Sequence, residues 1–297
     1  MDHEKLIRDI VTNALGVEAE GVSVIRRLMG GMSNSTYVVE AGGEHYTFRV
    51  PGKHAERFVD REVEADHLKL IESLRINNET VYLDVVSGYK IARYLEGVPM
   101  SETGPYEHLE AAADVLRRVH TSGLKSRHDY DPFGRLRTYE AYVKEHGHVH
   151  EERYENIKST FLAHRPALEA HRKTLCHGDA QISNFVVSER MYLTDWEFAG
   201  NHDPFYDIAC FGNVDFDHAL ALFPVYLQRR PHAAEMDRLY LWRTFQCLQW
   251  HNVALYKHFI GLSEDLAIDF EQVAKRYLDK AQAMLSAVRD EHERVNA

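Results

Sequence analysis

Few features of this sequence point outside a reducing, aqueous compartment. It has only three cysteines in 297 residues, Cys176, Cys210 and Cys247. They form no CxxC pair, and an odd number cannot all pair within one chain. A disulfide scaffold is therefore not expected, and buried free thiols in a cytoplasmic protein are. No run of about 18 apolar residues exists, so no membrane-spanning helix is expected. The N-terminus, MDHEKLIRDI, is charged and lacks the apolar core of a secretory signal. Basic charge is also in short supply: 35 Lys and Arg against 46 Asp and Glu leave a net charge of -11. That field repels nucleic acid and anionic membrane, which makes neither an expected partner, and it suits a cationic small molecule. Internal repeats, low-complexity tracts and long linkers are missing. What remains is 44% hydrophobic content with aromatics spread throughout, ample for one large domain or two lobes.

The pattern along the chain predicts an α+β fold. Residues 2–15 read as an amphipathic helix, with Leu6, Ile10 and Leu15 on one side. Strands are expected at Val22–Leu28, Thr36–Glu40 and His45–Val50, the last two joined by Gly42-Gly43, a strong hairpin signal. In the third strand Tyr46, Phe48 and Val50 share one face, while Thr47 and Arg49 point the other way. A helix is expected over 56–74, and a second hairpin over Val81–Val85 and Tyr89–Tyr94, turning at Ser87-Gly88. Past residue 95 helices dominate, roughly 105–122, 136–146, 151–170, 215–229, 236–258 and 265–292, with short strands near 174–176, 185–188 and 191–194. The composition shift at Glu96-Gly-Val-Pro99 sets the lobe boundary: residues 1–95 as a small sheet lobe, 96–297 as a mostly helical one.

The chemistry concentrates in Leu175-Cys-His-Gly-Asp-Ala-Gln-Ile-Ser-Asn-Phe-Val-Val187, followed by Leu193-Thr-Asp-Trp-Glu-Phe-Ala-Gly200. Phosphoryl transfer asks little covalent help of a protein. It needs a carboxylate to orient and deprotonate a hydroxyl, and oxygen ligands to hold magnesium on the phosphates. Asp179 and Asn184 lie five residues apart on a loop between apolar strands, and Asp195 ends the next strand. One hairpin can aim all three at a single point.

His-Gly-Asp-x-x-x-x-Asn, followed by Asp-Trp-Glu-Phe-Ala-Gly-x-x-Asp-Pro-x-x-Asp-Ile-Ala, resembles the aminoglycoside phosphotransferase and choline kinase superfamily, over His177 to Ala209. The resemblance implies a protein-kinase-like bilobal fold: a small N-terminal antiparallel sheet lobe and a mostly helical C-terminal lobe. It implies an ATP- and Mg2+-dependent small-molecule kinase, with Asp179 as base and Asn184 and Asp195 as metal ligands. Glu197 would assist the metal or the substrate. His177 is expected to brace the loop, and Asp203 and Asp207 to be structural. Met29-Gly-Gly-Met-Ser-Asn-Ser-Thr-Tyr37 is similar to the family's nucleotide loop, which assigns Gly30, Gly31, Ser33 and Asn34 to the phosphates; glycines let backbone N–H groups approach them closely. Where the wider superfamily has a phosphate-gripping lysine, this chain has Arg49, in an Arg-Val-Pro-Gly setting common in the bacterial choline-kinase-like branch; Lys53 is the rival. Arg49 should pair with a helix glutamate, Glu64 by alignment of the downstream apolar positions, or Glu62. Ile91-Ala-Arg-Tyr-Leu-Glu96 matches the hinge, with Tyr94 and Leu95 against adenine.

Trp250-His-Asn-Val-Ala-Leu-Tyr-Lys257, then Gly261 and Asp269-Phe-Glu-Gln-Val-Ala-Lys-Arg276, is similar to the end of bacterial choline kinases. A quaternary ammonium has no hydrogen-bond donor and binds aromatic faces. Trp250 is the leading candidate for such a pocket, with Tyr256 and Trp242 behind it, and Asp215 as a counter-charge. Three departures stand against choline: Val253 where a second tryptophan is common, Gln272 near an expected tyrosine, and His-Gly-Asp in place of His-Asn-Asp. Choline or ethanolamine is the main expectation for the alcohol. Thiamine, an aminoglycoside or another alcohol is the alternative, and a non-catalytic nucleotide-binding regulator is a different class. The missing Asp-Phe-Gly and Ala-Pro-Glu segments argue against a protein kinase. His146-Gly-His-Val-His150 invites a zinc reading, but Gly147 and the absence of a nearby cysteine or carboxylate at motif spacing favour a surface loop. His120, at a helix end, is expected to pack or cap.

Overall fold

A computed structural model describes residues 3–28 and 34–288. In chain order the elements are α1 (His3–Leu15), β1 (Val22–Leu28), β2 (Asn34–Ala41), β3 (Glu44–Pro51), α2 (Arg61–Ile71), β4 (Thr80–Leu83), β5 (Lys90–Arg93), β6 (Val98–Pro99), α3 (Met100–Thr103), α4 (Leu109–His120), α5 (Pro132–Glu145), α6 (Glu152–Ala163), α7 (Arg165–Glu169), β7 (Thr174–Cys176), β8 (Phe185–Val187), β9 (Met191–Leu193), β10 (Gly200–His202), α8 (Phe205–Phe211), α9 (Phe216–Leu227), α10 (Ala233–Phe259), α11 (Leu262–Leu266) and α12 (Phe270–Ser286). They fall into two compact units, Met1–His128 with His177–Gly200, and Asp129–Cys176 with Asn201–Ala297. The first unit thus takes in the hairpin that carries Asp179, Asn184 and Asp195.

In the first unit, β1 to β5 form an antiparallel sheet in the order β1-β2-β3-β5-β4. Alternation along β3 gives the sheet two different faces. Tyr46, Phe48 and Val50 pack with Val39, Ile91 and the α1 residues Ile7 and Val11 in an apolar core. The opposite face carries Arg49. Register puts Arg49 directly across from Thr36 on β2 and Lys90 on β5, so Arg49 and Lys90 rise side by side. β6, β8 and β9 make a second, three-stranded antiparallel sheet in this unit.

The expected helix over 56–74 begins only at Arg61. Asp60 caps it, its Oδ1 accepting from the backbone N–H of Glu62 (3.0 Å) and Val63 (3.2 Å). Residues Ala55–Arg57 form a separate 3-10 turn. Of the apolar positions expected for this helix, Val63, Leu68, Ile71 and Leu74, only Ile71 is buried, and it shares the buried stripe with Arg61, Glu64 and His67. This face meets charge rather than hydrocarbon.

In the second unit α10 runs for 27 residues and packs against α5, α8 and α12. Its inward residues include Leu239, Trp242, Phe245 and Leu248. The helix expected at 265–292 is broken in two: Ala267 adopts a left-handed φ of 53°, and Asp269 caps α12 by accepting from the Gln272 N–H at 2.9 Å. Helix α8 was not anticipated; it starts where Asp203 accepts from the Phe205 N–H at 3.0 Å. The three cysteines are buried and form no disulfide among the described residues. Among the described residues no helix is long and apolar enough to cross a membrane.

Candidate active site

The loop after β7 is shaped by residues that leave it few alternatives. Gly178 has φ +79°, and a Cβ there would sit 2.1 Å from the Phe198 carbonyl oxygen, so only glycine fits. His177 is fully buried and touches both sides of the loop. Its Nδ1 accepts from the Asp179 backbone N–H (3.2 Å), which leaves Nε2–H to donate to the Thr194 carbonyl (2.9 Å). Its ring meets Trp196 edge-on, and Trp196 donates Nε1–H to the Leu193 carbonyl at 2.7 Å. His177 therefore ties the Asp179 loop to the end of β9, as a brace would.

Asp179 and Asn184 are locked to one another. The Asn184 Nδ2 donates to the Asp179 carbonyl oxygen at 2.8 Å and to its carboxylate Oδ2 at 3.3 Å. Gln181 Nε2 donates to the same Oδ2 at 2.9 Å. Both donors use one oxygen, leaving Oδ1 to receive a proton. Burial pushes the Asp179 carboxyl well above its ordinary range, and the nearby Asp195 charge adds to this against the two hydrogen bonds. The Thr194 N–H and hydroxyl both donate to the Asn184 carbonyl (2.9 and 3.1 Å), which brings Asp195, the next residue, beside Asn184 in the chain path. Asp195 takes a left-handed φ of 70°, a strained setting of the kind that clusters at functional sites.

A buried charge network adjoins this hairpin. Arg49 meets Glu64 fork to fork, Nη1–Oε1 2.7 Å and Nη2–Oε2 2.8 Å. Glu64 is fully buried and Glu62 is exposed, which settles the pairing in favour of Glu64. Lys53, the rival to Arg49, is exposed. Arg49 also lies 3.4 Å from Glu197 and 3.8 Å from Asp195. Two cations that sequence reasoning missed complete the network. Lys90 Nζ reaches Glu64 at 3.0 Å, and Arg61 Nη1 reaches both Glu64 and Glu197 at 2.7 Å. The signals were the cross-strand position of Lys90 and the i, i+3 spacing of Arg61 and Glu64. Burial disfavours the Glu64 charge, but Lys90, Arg49 and Arg61 outweigh it and hold the carboxyl well below the usual range. Glu197 is pushed up instead, by burial and then by Asp195, against the two arginines. Asn34 Nδ2 lies 3.4 and 3.5 Å from the Glu197 carboxylate oxygens.

The donor set suits a hard divalent cation. Asn184 turns its NH2 toward Asp179, so its carbonyl oxygen is presented away from that contact, and the Asp195 carboxylate is 37% exposed while Glu64 and Glu197 are shut in by arginine. Two oxygen donors fit Mg2+, which commonly takes only one or two protein ligands beside phosphate oxygens. Gly30, Gly31 and Ser33 lie outside the described residues. In the segment expected to meet adenine, the Tyr94 N–H donates to the His45 carbonyl at 2.9 Å.

In the second unit Trp250 is half-buried and stacks on Tyr277 (centroids 6.4 Å, 23° apart). Tyr277 was not singled out from sequence, because the expected tyrosine position was read at Gln272. Trp242 and Tyr256 are core residues at 2% exposure, and Trp242 donates to Asp203 Oδ2 at 2.8 Å. Val253, where a second tryptophan is common, is also core. Asp215 is exposed and caps α9, accepting from the Asp217 N–H at 3.0 Å. The His146–His150 segment joins α5 to α6; His150 stacks on Tyr154 at 3.9 Å and bonds Asn252 at 2.8 Å.

Comparison with known proteins agrees with this geometry. A model described as the phosphotransferase enzyme family matches residues 24–242. Protein LicA of Haemophilus influenzae is 26% identical over 187 residues, 61% of this chain; the match spans about half, 55%, of that relative's length. Among solved structures, choline kinase LicA from Streptococcus pneumoniae superposes with a TM-score of 0.78 at 22% identity, covering 95% of this chain and 98% of that one. A choline/ethanolamine kinase family protein from Mesorhizobium loti gives 0.75 at 23%, covering 95% and 94%. At these identities the structural matches establish the fold, a small antiparallel sheet followed by a mainly helical chain, as the sequence led us to expect. The family match covers well over half the sequence, and the chain belongs to the phosphotransferase enzyme family.

Proposed function

We propose that this protein is an ATP-dependent kinase that phosphorylates the hydroxyl of a small cationic alcohol, choline or ethanolamine. The observation that carries the reading is the hairpin on which Asn184 grips Asp179 while Thr194, bonded to Asn184, delivers Asp195. In the proposed reaction Asp179 Oδ1 orients the acceptor hydroxyl and takes its proton. The freed oxygen forms a bond to the γ-phosphorus, and the bond from that phosphorus to the β–γ bridging oxygen breaks, so that ADP leaves. Asn184 and Asp195 would hold Mg2+, which neutralises phosphate charge when bound. Arg49, fixed by Glu64, would grip the phosphates, with Asn34, Gly30, Gly31 and Ser33 on the nucleotide loop and Tyr94 and Leu95 at the base. Functionally, residues 1–95 would serve the nucleotide, and residues 96–297 the chemistry and the acceptor.

Trp250 is the group proposed for the acceptor's ammonium, supported by its half-exposed stack on Tyr277. Asp215 is the weaker assignment: its carboxylate already caps α9, although one oxygen can still face a cation. The names of the relatives, choline kinase and choline/ethanolamine kinase family protein, favour the same acceptor class. The test is ADP release from Mg·ATP with choline, ethanolamine, thiamine, homoserine and an aminoglycoside, with Asp179→Asn as control. Turnover on choline or ethanolamine that vanishes in the control supports the proposal. Turnover confined to another alcohol keeps the mechanism and overturns the acceptor; bound ATP with no turnover favours a regulator.

A further inference from the structure

One nitrogen, Arg61 Nη1, stands 2.7 Å from Glu64 Oε2 and 2.7 Å from Glu197 Oε2. It joins helix α2 to the segment that follows β9, two residues beyond Asp195. The guanidinium makes both contacts through this single atom; Nη2 is buried and has no hydrogen-bond partner among the described residues. The side chain is 7% exposed, and Gly88 lies close against it. Gly88, at φ +76°, has room for no Cβ: one would fall 2.7 Å from Pro51 Cγ and 3.1 Å from Arg61 Nε.

The arrangement answers an electrostatic problem. One oxygen each of Glu64, Asp195 and Glu197 lies within 4.8 Å of the others. Three carboxylates so close repel one another, and any of them left without a cation would compete for a metal. Three cations, Arg49, Arg61 and Lys90, balance them. Arg49 touches all three carboxylates, so a phosphate that draws on Arg49 weakens its hold on Glu197 at 3.4 Å before its fork on Glu64. Lys90 serves Glu64. The short contact remaining to Glu197 is then Arg61.

We propose that Arg61 is a positioning residue that holds Glu197 away from the metal, so that Asp195 is the carboxylate offered to Mg2+ with bound nucleotide. This deepens the kinase reading and rests on it. Arg61 touches neither nucleotide nor acceptor in this account; it acts through Glu197.

The test is a Mg2+ titration read in two ways: binding of a non-hydrolysable ATP analogue by calorimetry, and initial rate. Arg61→Met removes a cation and frees a carboxylate beside the metal, so it should lower the half-saturating Mg2+ for analogue binding about tenfold, from the order of energy that one charged hydrogen bond carries, and lower the maximal rate because the metal is drawn from Asp195 toward Glu197. Binding of the analogue without metal should move less than about threefold on the same scale. Arg61→Lys, which can restore a single bridging nitrogen, should reverse most of both changes. Should Arg61→Met not fold, Arg61→Gln takes its place; adding Glu197→Gln removes the carboxylate that Arg61 restrains and should return the titration to within about threefold of wild type. An Arg61→Met protein with a lower melting temperature but an unmoved Mg2+ titration overturns the proposal, as does a double variant with Glu197→Gln that keeps the full shift. A wild-type chain that fails to bind the analogue sinks the kinase reading itself, whereas wild type and Arg61→Met binding alike sinks only this inference.

Discussion

Arg49 and Glu64 meet through two parallel contacts, 2.7 and 2.8 Å, with the carboxylate fully buried and the guanidinium 5% exposed. A fork of this kind cannot be made by lysine, and it is why arginine at this strand position is not a loose substitute. Removing Glu64 leaves Arg49, Arg61 and Lys90 facing one another without their shared anion. Glu64→Ala should therefore destabilise the fold by about 3–5 kcal/mol, whereas Glu62→Ala, on the exposed side of the same turn, should change it by less than about 0.5 kcal/mol. Urea unfolding of the two variants checks the contrast, and equal losses would contradict the pairing.

Gly178 is a second point of no tolerance. An added methyl would collide with the Phe198 carbonyl oxygen, which is backbone and cannot swing aside. Gly178→Ala should cost at least about 2 kcal/mol, combining strain at positive φ with that clash. It should also lower turnover, because the Asp179 loop is displaced. A variant as stable and active as wild type would mean the loop is not shaped as described.

Trp250 is proposed for the acceptor, so its removal should be felt by one substrate and not the other. Trp250→Leu should raise KM for choline about tenfold, the order expected for losing a partly desolvated cation–π contact, with KM for ATP unchanged. Initial rates at varied choline and then varied ATP separate the two. An equal rise in both constants would argue that Trp250 is a packing residue.

Acid should destabilise this fold through its histidines. His67, His202 and His251 are each pushed down to about 4, in every case chiefly by burial. The folded form holds them neutral, while the unfolded chain takes up protons below about 6.5. Their contribution is complete above that value and is lost as pH falls toward 4, at about 1.4 kcal/mol per pH unit for each histidine. The melting temperature should drop through this window, and His67→Gln should show a shallower slope. A slope identical to wild type would place the acid sensitivity elsewhere.

How much of this was legible in the sequence depended on what each residue's role required. The β2–β3 hairpin announced itself through Gly42-Gly43 and the alternation of Tyr46, Phe48 and Val50, because a half-buried strand has period two. That Asp179, Asn184 and Asp195 flank one hairpin was readable because its strands, Phe185–Val187 and Met191–Leu193, are short apolar runs. Helix α2 was harder. Its buried stripe is charged, so an apolar periodicity pointed at Val63 and Leu68 and passed over Arg61. Lys90 acts only through its register opposite Arg49, a fact of pairing between strands far apart in sequence. Tyr277 was missed for a similar reason: its stack on Trp250 joins α10 to α12, and no local pattern marks it.

The most direct measurement is phosphorus NMR of the protein with Mg·ATP and choline. The account predicts that the γ-phosphate signal is replaced by that of a phosphomonoester of choline, with ADP formed in equal amount, and that Asp179→Asn produces neither. Inorganic phosphate in place of the ester, or an Asp179→Asn protein that still makes it, would contradict the account.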